Sequence, residues 1–202
     1  GFFDIQIIQN EKNLGFAEGN NVGTRAALAD KKTDAILILN NDTTVEPNFL
    51  NELVKVDADM IAPRMLDYND HDKIDNLGIV LMSSGLTFNR RQESQKLFCP
   101  TGGAALYSRK LLEVVKLGNN YFDPTYFAYA EDLDLGWRAR NLGFEPSYAK
   151  DAIVYHKGSA IHGKLSDFSV HHTYRNLFWT EFTNLPTSLM LRRLLWIGTG
   201  RL

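Results

Sequence analysis

Three groups of polar side chains in this sequence have types and spacings that could do chemistry. The first is the tripeptide Asn40-Asn41-Asp42, which follows the apolar run 35–39. In an extended chain residues 40 and 42 point to the same side, and one carboxylate there can hold a hard divalent cation beside phosphate oxygens. Asn and Asp are also ordinary turn residues, so the tripeptide fits a plain turn about equally well.

The second group is a set of acids, Glu131, Asp132 and Asp134, at the predicted start of a helix. Acids favour the positive end of a helix dipole, which explains these acids but not the aromatic residues before them. Those aromatic residues are Phe122, Tyr126, Phe127 and Tyr129. Aromatic faces beside carboxylates suit the apolar faces and hydroxyl groups of a sugar, and such a carboxylate can act as general base on a hydroxyl.

The third group consists of single residues late in the chain. His156 ends a short apolar run, where a lone histidine is more often structural than a ligand. Arg175 lies in a predicted helix, and its guanidinium could bind a diphosphate through two parallel hydrogen bonds. A solvated helix face is the simpler interpretation of the same arginine.

Composition limits the kind of protein to which these groups belong. The chain has 202 residues, enough for one domain with a core, and its formal net charge of -2 gives no sign of a nucleic-acid-binding surface. Its single cysteine, Cys99, cannot form an internal disulfide and lacks zinc-ligand spacing, so a buried thiol is favoured. No apolar run is long enough to span a membrane. These features are compatible with a cytoplasmic location.

The elements that would position the first group alternate between strands and helices. Apolar runs predict three strands, at 5–8, at 35–39 and, ending before Pro63, at 60–62. A helix is predicted at 17–29, and Pro47 is expected to open another. This alternation implies a parallel sheet with right-handed crossovers, in which ligands bind outside the carboxyl ends of the strands. Asn40-Asn41-Asp42 lies at such an end.

The second half of the chain predicts further strands and helices around the other groups. The expected strands are a hairpin at 79–82 and 86–88 and single strands at 101–107 and 153–155. The expected helices begin at Ser108 as N-cap, at 131–142 before Gly143, at 168–182 and at Pro186. The acids would therefore lie at a helix start and His156 at a strand end.

Taken in order, these motifs resemble family 2 glycosyltransferases, most closely the branch of rhamnosyltransferases and galactofuranosyltransferases. Each motif is weak alone, whereas the ordered set is highly specific and runs from about residue 10 to about residue 180. The matching segments are Asn13-Leu14-Gly15-Phe16-Ala17, Gly19-Asn20-Asn21, Leu37-Ile38-Leu39-Asn40-Asn41-Asp42 with Pro47, Gly102-Gly103-Ala104, Phe122-Asp123, Phe127-Ala128-Tyr129-Ala130-Glu131-Asp132-Leu133-Asp134-Leu135, Trp137-Arg138 and His156.

The resemblance implies a GT-A fold, an α/β, Rossmann-like domain with a mixed, mainly parallel sheet flanked by helices. Asn40-Asn41-Asp42 would be a variant of the DxD motif, and Asp42 and His156 would hold a divalent cation, Mg²⁺ or Mn²⁺. Asn40 replaces the first acid of that motif, so a weaker metal affinity is expected. The cation would act as a Lewis acid on the leaving diphosphate.

For catalysis, the resemblance implies that Asp132 takes the acceptor hydroxyl proton while Glu131 orients the site or contacts the acceptor. One base and no enzyme nucleophile mean a single displacement with inversion at the anomeric carbon. Trp137 and Arg138 would brace the helix behind Asp132. The implied donor-binding residues are Asn13, Gly15, Phe16, Asn20, Asn21, Asn40, Asn41 and Arg175. The implied acceptor-binding residues are Gly102, Gly103, Tyr129 and Trp137.

The implied substrates are a nucleotide-diphosphate sugar of the UDP or dTDP type and a glycan or lipid-linked acceptor in cell-surface polysaccharide synthesis. Residues 1–183 would form a catalytic domain that lacks the family's first strand and its nucleotide-binding acid, so exposed sheet edges and oligomers are an expectation. Residues 184–202 would form an amphipathic C-terminal helix. That helix either packs on the domain or lies on the inner face of the cell membrane.

Two other interpretations stay open at this point. Because the family's N-terminal segment is missing, the chain could be a non-catalytic remnant that binds sugar or nucleotide. The other alternative is a nucleotidyltransferase with a similar sheet. Such a protein should show a Gly-rich, basic phosphate loop after its first strand, and this sequence shows none.

Overall fold

The apolar runs of this chain build one mixed sheet, as seen in a computed structural model that describes residues 5–82, 85–158 and 166–191. In chain order the strands are β1 (Ala35–Leu39), β2 (Thr43–Val45), β3 (Met60–Asp67), β4 (Ile74–Asn76), β5 (Ile79–Leu81), β6 (Thr87–Asn89), β7 (Ala104–Ser108) and β8 (Pro146–His156). The helices are α1 (Gly15–Ala29), α2 (Phe49–Val54), α3 (Arg109–Val115), α4 (Glu131–Asn141) and α5 (Asp167–Asn184), with a 3₁₀ turn at Pro124–Tyr126.

The main sheet has the strand order β1-β7-β3-β8-β2, with β4 paired to β3. β3 and β8 are parallel neighbours, β7 runs antiparallel to both β1 and β3, and β2 runs antiparallel to β8. β1, β3 and β8 therefore run in one direction, and their carboxyl ends reach the same edge of the sheet. The predicted α/β domain with a mixed sheet flanked by helices is confirmed, but among the described strands of the main sheet only β3 and β8 pair in parallel, because β7 inserts antiparallel between β1 and β3.

The two faces of the sheet are covered by different helices because successive residues of a strand point to opposite sides. On one face Ile36 and Ile38 of β1 belong to a buried cluster with α1, α3 and α4. On the other face Leu37 of β1 and Val154 of β8 pack in a cluster with Phe49 of α2. β1 is thus an apolar strand covered on both faces, and it carries Asn40 and Asp42 immediately beyond its end.

Most of the predicted elements are confirmed with bounds that differ by a few residues. The 35–39 strand and the hairpin of β5 and β6 lie where predicted. The side chain of Ser108 caps α3 by accepting a hydrogen bond from the backbone N–H of Leu111. Gly143 has a φ of 88°, as expected for the residue that ends α4.

The strand predicted at 5–8 is wrong. Residues 5–14 form neither helix nor strand, and the side chains of Ile5 and Ile7 are 85% and 86% exposed. A strand is stabilised by hydrogen bonds to a neighbour, and no strand in the described part of the chain pairs with this segment. An apolar run is therefore not sufficient to form a strand here.

Two strands are longer than the sequence predicts. β3 continues through Pro63 to Asp67, and its pairing with β8 shifts register between Pro63 and Arg64. This irregularity accommodates a residue that has no N–H to donate to the ladder. β8 begins at Pro146 rather than at residue 153.

At the C-terminal end, α5 stops at Asn184 and residues 187–191 are again helical after Pro186. The remainder of the helix predicted for 184–202 lies outside the described residues, and the division between 183 and 184 stays a prediction. Among the described helices, none combines the length and the apolar character that crossing a membrane requires.

Candidate active site

A cavity of about 630 Å³ lies where the edge of the main sheet meets the start of α4. Seven of the predicted site residues line it, namely Phe16, Asn40, Gly102, Gly103, Tyr129, Glu131 and Asp132. The residues of β6 and Thr173 and Leu177 of α5 complete its walls. The backbone N–H of Asn40 donates to the carbonyl of Gly103 at 3.0 Å. This bond links the residue after β1 to the residue before β7.

Gly102 allows the backbone to approach the carboxylate of Asp132. Its N–H donates to Asp132 Oδ2 at 2.6 Å. A Cβ at this position would lie 3.1 Å from the ring of Phe16 and 3.4 Å from Asp132 Oδ2, so a larger residue would crowd both. The glycine therefore holds Asp132 by a main-chain hydrogen bond at close range.

Asp132 is partly buried and well supplied with donors. Besides the bond from Gly102, its Oδ2 accepts from Thr101 Oγ1 at 3.3 Å, and its Oδ1 accepts from the N–H of Leu133 at 2.7 Å. Withdrawal from water raises the pKa of Asp132 above its ordinary value, while these hydrogen bonds oppose the rise. The result is a carboxylate of fixed orientation and increased basicity.

Glu131, the residue next to Asp132, differs from it in burial and in hydrogen bonding. It is 5% exposed, and its Oε2 is buried without a hydrogen-bond partner among the described residues. Burial, with a smaller contribution from the charge of Asp132, raises the pKa of Glu131 to about 8. At neutral pH this carboxyl group is therefore mainly protonated and able to donate a hydrogen bond.

The segment 126–130, which we call the aromatic turn, delivers the chain to Glu131. Three of its non-glycine residues have positive φ, namely Phe127 at 62°, Tyr129 at 70° and Ala130 at 65°. Gly15, with a φ of 75°, lies so close that a Cβ there would be 2.4 Å from the carbonyl oxygen of Phe127. Non-glycine residues adopt such conformations at a cost and only when their surroundings hold them.

A second group of polar residues, which we call the acid–histidine cluster, consists of Asp42, Asp75 and His156. Antiparallel pairing of Thr43 with His156 brings Asp42 next to the histidine. His156 Nε2 lies 3.3 Å from Asp42 Oδ2, and its Nδ1 lies 2.8 Å from Asp75 Oδ2. Asp75, followed by Asp42, raises the pKa of the imidazole.

Two residues of the acid–histidine cluster, Asp42 and His156, have side chains suited to binding a divalent cation. Asp42 Oδ1 is buried and has no hydrogen-bond partner among the described residues, which leaves a carboxylate oxygen able to bind a cation. Asp75 lies on the other ring nitrogen of His156, as is usual for a carboxylate that orients a metal-binding imidazole. No group of three His, Cys, Asp or Glu in the described chain is arranged around a cation, so phosphate and water would have to supply further ligands.

Among the other predicted donor-binding residues, three make hydrogen bonds within the protein and one is exposed in a turn. Asn13 Oδ1 accepts from the N–H of Gly15, and Asn20 Nδ2 donates to the carbonyl of Phe16. Asn41 is exposed in the turn between β1 and β2. Arg175 Nη2 donates to the carbonyls of Thr125 and Tyr126, which ties its guanidinium to the aromatic turn.

Two predicted ligand-binding residues, Asn21 and Trp137, lie inside the protein. Asn21 is fully buried, and its Oδ1 accepts from the N–H groups of Tyr121 and Phe122. Trp137 is 4% exposed and packs edge-on against Phe98. In the structure Asn21 thus bonds to the backbone before the aromatic turn and Trp137 packs inside the domain, and their predicted binding and bracing roles stay predictions.

Three residues of the site were missed by the sequence prediction. Asp75 lies in a polar stretch with no recognisable motif, and Asn176 directly follows Arg175 in a helix whose apolar pattern is weak. Phe88 lines the cavity from β6 and is 56% exposed. In the sequence, Phe88 is simply an aromatic residue of a predicted hairpin, which indicates no particular ligand.

Comparison with known proteins agrees with this geometry. Over 188 residues the chain is 24% identical to the low-salt glycan biosynthesis hexosyltransferase Agl10 of Haloferax volcanii, covering 87% of this chain and 59% of that protein. The crystal structure of GalNAc-T7 with UDP, GalNAc and Mn²⁺ matches 88% of this chain and 38% of its own, with a TM-score of 0.59 and 15% identity. This second likeness is one of fold and confirms the expected GT-A architecture. The chain thus spans 59% and 38% of the lengths of these two proteins.

The sequence profile of one protein family matches the first part of the chain. The matched residues are 1–116, more than half of the 202 residues, and the family is described as glycosyl transferase family 2. The match includes the strand that carries Asn40 and Asp42 and the segment of Gly102 and Gly103. On this match the chain belongs to glycosyl transferase family 2.

Proposed function

We propose that this chain is the catalytic part of an inverting glycosyltransferase that moves a sugar from a nucleotide-diphosphate donor to a hydroxyl of a glycan or lipid-linked acceptor. The observation that carries the proposal is the oriented carboxylate of Asp132 in a cavity of about 630 Å³. Family membership and the similarity to a hexosyltransferase support hexose as the sugar class. Rhamnose or galactofuranose specificity stays a prediction, as do oligomer formation, peripheral membrane contact and a cytoplasmic location.

Asp132 is the general base of the proposed reaction. Its Oδ2 accepts two protein hydrogen bonds, whereas Oδ1 accepts one and keeps a lone pair for the acceptor hydroxyl. As the acceptor O–H bond breaks, its proton moves to Asp132 and its oxygen forms a bond to the anomeric carbon. The bond from that carbon to the diphosphate breaks on the opposite side, with its electron pair going to the diphosphate, so the configuration inverts.

Glu131 complements this base because its carboxyl group holds a proton at neutral pH. Its pKa of about 8 and the lack of a partner for Oε2 among the described residues leave an O–H group able to donate into the cavity. Two neighbouring carboxyl groups with different environments can take different roles. Glu131 binds and orients a sugar hydroxyl, and Asp132 removes the proton.

The leaving-group side of the site would be completed by Mg²⁺ or Mn²⁺ held by Asp42 and His156. When bound, the cation would supply positive charge to the diphosphate. Asp42 Oδ1, which has no hydrogen-bond partner among the described residues, supports this assignment, and so does Asp75, because its bond to Nδ1 leaves Nε2 of His156 for the cation. Asn40, which lines the cavity and lies two residues before Asp42, would contact the donor.

The acceptor side is formed by aromatic residues around the two carboxyl groups. Tyr129 and Phe88 both line the cavity and both keep large exposed surfaces. Aromatic faces exposed beside polar groups suit the apolar faces of sugar rings. Phe88 therefore takes the place in the acceptor site that the sequence assigned to Trp137.

The first test is calorimetric titration of the chain with UDP and with dTDP, with and without Mn²⁺. We expect one of the two nucleotides to bind more tightly when Mn²⁺ is present. Donor sugars of that nucleotide are then screened for release of the nucleotide, and the anomeric configuration of the product is read by NMR. Absence of binding to either nucleotide, or a product with retained configuration, would contradict the proposal. Binding without any turnover would favour a nucleotide-binding remnant.

A further inference from the structure

The aromatic turn is held in its unusual conformation mainly by one side chain of α5. Asn176 is 1% exposed, and its Nδ2 lies 3.0 Å from the carbonyl oxygen of Tyr126, 2.8 Å from that of Ala128 and 2.7 Å from that of Tyr129. The two N–H groups of this amide are thus shared among three carbonyl oxygens of the aromatic turn, which contains all three positive-φ residues preceding α4. Its Oδ1 is also used, because it accepts from Arg175 Nε at 2.8 Å.

Neighbouring groups on α5 hold the same segment from nearby positions. Thr180, one helical turn after Asn176, makes a hydrogen bond of 2.9 Å with the hydroxyl of Tyr126. Arg175 donates to the carbonyls of Thr125 and Tyr126 at 3.0 and 3.1 Å. One face of α5 is therefore a set of donors and acceptors for the aromatic turn, with Asn176 at its centre.

Ordinary packing of α5 against α4 does not explain this arrangement. Asn184, a buried asparagine on the same helix, donates to the carboxylate of Asp134 in α4 at 2.9 Å and so performs such packing. Asn176 makes its long-range bonds to the turn alone. The turn ends at Ala130, directly before the residues that carry the two carboxyl groups, so a change in its conformation moves both groups.

We propose that Asn176 is a positioning residue for sugar transfer, which locks the aromatic turn and thereby fixes Glu131 and Asp132 in the cavity. The inference rests on the proposed function of this site. Asn176 does not touch the substrate in this role. A displacement of a catalytic group by about 1 Å can lower turnover roughly 100-fold.

The experiment compares the wild-type chain with Asn176→Ala and Asn176→Asp, and with Asn184→Ala as matched control. Asn176→Asp keeps the shape of the side chain but replaces its N–H donors by a carboxylate that repels three carbonyl oxygens. Amide hydrogen exchange of the peptide covering 126–131 reports the turn. UDP or dTDP titration with Mn²⁺ gives the stoichiometry of folded, nucleotide-binding protein, and nucleotide release from the donor sugar gives kcat.

We expect both Asn176 variants to exchange the amides of 126–131 at least about tenfold faster and to lose roughly 100-fold in kcat. Their nucleotide stoichiometry and donor KM should remain those of the wild type. Asn184→Ala should lose stability but keep the wild-type exchange of 126–131 and the wild-type kcat. A residue with a merely structural role would lower stoichiometry and kcat together.

Unchanged exchange of 126–131 in the Asn176 variants would overturn the inference, and so would a kcat that falls no more than in Asn184→Ala. These results leave the proposed function intact if the wild-type chain transfers sugar. A wild-type chain that binds nucleotide but transfers nothing would overturn the proposed function. The exchange measurement, which needs no substrate, then still decides whether Asn176 holds the turn.

Discussion

The two polar regions of the site differ in how many of their polar atoms have hydrogen-bond partners within the described chain. At the start of α4, Asp132 accepts hydrogen bonds from three groups, and the aromatic turn before it is tied to α5. In the acid–histidine cluster, two carboxylates flank one imidazole, and one oxygen of Asp42 is buried without a partner in the described chain. The first region is held by hydrogen bonds within the protein, whereas the second places two carboxylates together, whose negative charge a cation would balance. In the proposed reaction, acceptor activation would therefore be preorganised, and the donor and its metal would complete the leaving-group side.

Replacing the base should give the largest effect and should leave the second region untouched. We expect Asp132→Asn to lower the transfer rate about 1000-fold, because a neutral amide cannot take the acceptor proton. Nucleotide affinity in the presence of Mn²⁺ should be unchanged. Steady-state transfer assays and calorimetry check both statements, with Asp151→Asn, an exposed acid of β8, as control. Comparable turnover in the two variants would show that Asp132 is not the base.

The buried proton of Glu131 should make stability depend on pH. Its pKa is about 8 in the folded chain against an ordinary 4.5, so between these values the folded chain holds a proton that the unfolded chain has lost. The free energy of unfolding should therefore fall as pH rises from about 5 to about 8, whereas Glu131→Gln does not titrate and should avoid that part of the loss. We expect a difference of the order of 3 kcal/mol between the two pH dependences.

Urea unfolding at about pH 5 and about pH 9 measures this difference. Asp132 titrates in both proteins, so the comparison isolates Glu131. Glu131→Gln should also retain most of the transfer activity at pH 7, because the amide resembles the protonated acid. Parallel pH dependences for the wild type and the variant would show that Glu131 is ionised in the folded chain.

Removing a carboxylate from the acid–histidine cluster should affect nucleotide binding and not the base. We expect Asp42→Asn to weaken Mn²⁺-dependent nucleotide binding by about 10- to 100-fold, since the cation loses a charged ligand. Binding without Mn²⁺ should change little. Calorimetry with the matched variant Asp72→Asn, an exposed acid in the loop before β4, provides the control. Equal loss with and without Mn²⁺ would place Asp42 outside a metal site.

The smallest effect is expected at the aromatic wall of the cavity. Phe88→Ala should raise the acceptor KM about three- to tenfold, because an aromatic contact contributes roughly 1 kcal/mol to binding. Donor KM should not change. Met82→Ala, which removes an exposed side chain next to β5 that does not line the cavity, serves as control. An equal rise in donor and acceptor KM would mean that Phe88 supports the whole site and not the acceptor alone.

The sequence predicts those parts of the site that lie in short, contiguous motifs. Asn40, Gly102, Glu131 and Asp132 lie in the contiguous motifs that carry the resemblance to family 2 glycosyltransferases, and the structure brings all four to one cavity. Their burial and different pKa values could not be predicted, because these depend on residues from other elements.

The parts that the sequence could not predict depend on contacts between distant segments. Asn176 bonds to carbonyls that precede it by 47 to 50 positions, and Asp75 reaches His156 from 81 positions away. Nothing in the local pattern of either residue signals these contacts. For the same reason Asn21 was interpreted as a ligand for the donor, although its partners are the backbone groups of a segment about 100 residues later. The strand predicted at 5–8 fails likewise, because strand formation depends on a neighbour.

The hairpin of β5 and β6 forms its own two-stranded sheet, separate from the main sheet, at whose edge Asn40, Asp42 and His156 lie. Main-chain bonds from Leu77 to Arg90 and from Ile79 to Cys99 attach it to the domain. Its outward side chains can therefore be exchanged without rebuilding the catalytic machinery. We therefore expect relatives to differ at this hairpin when they recognise different acceptors. The same hairpin is the part of the cavity wall at which the acceptor range can be redesigned.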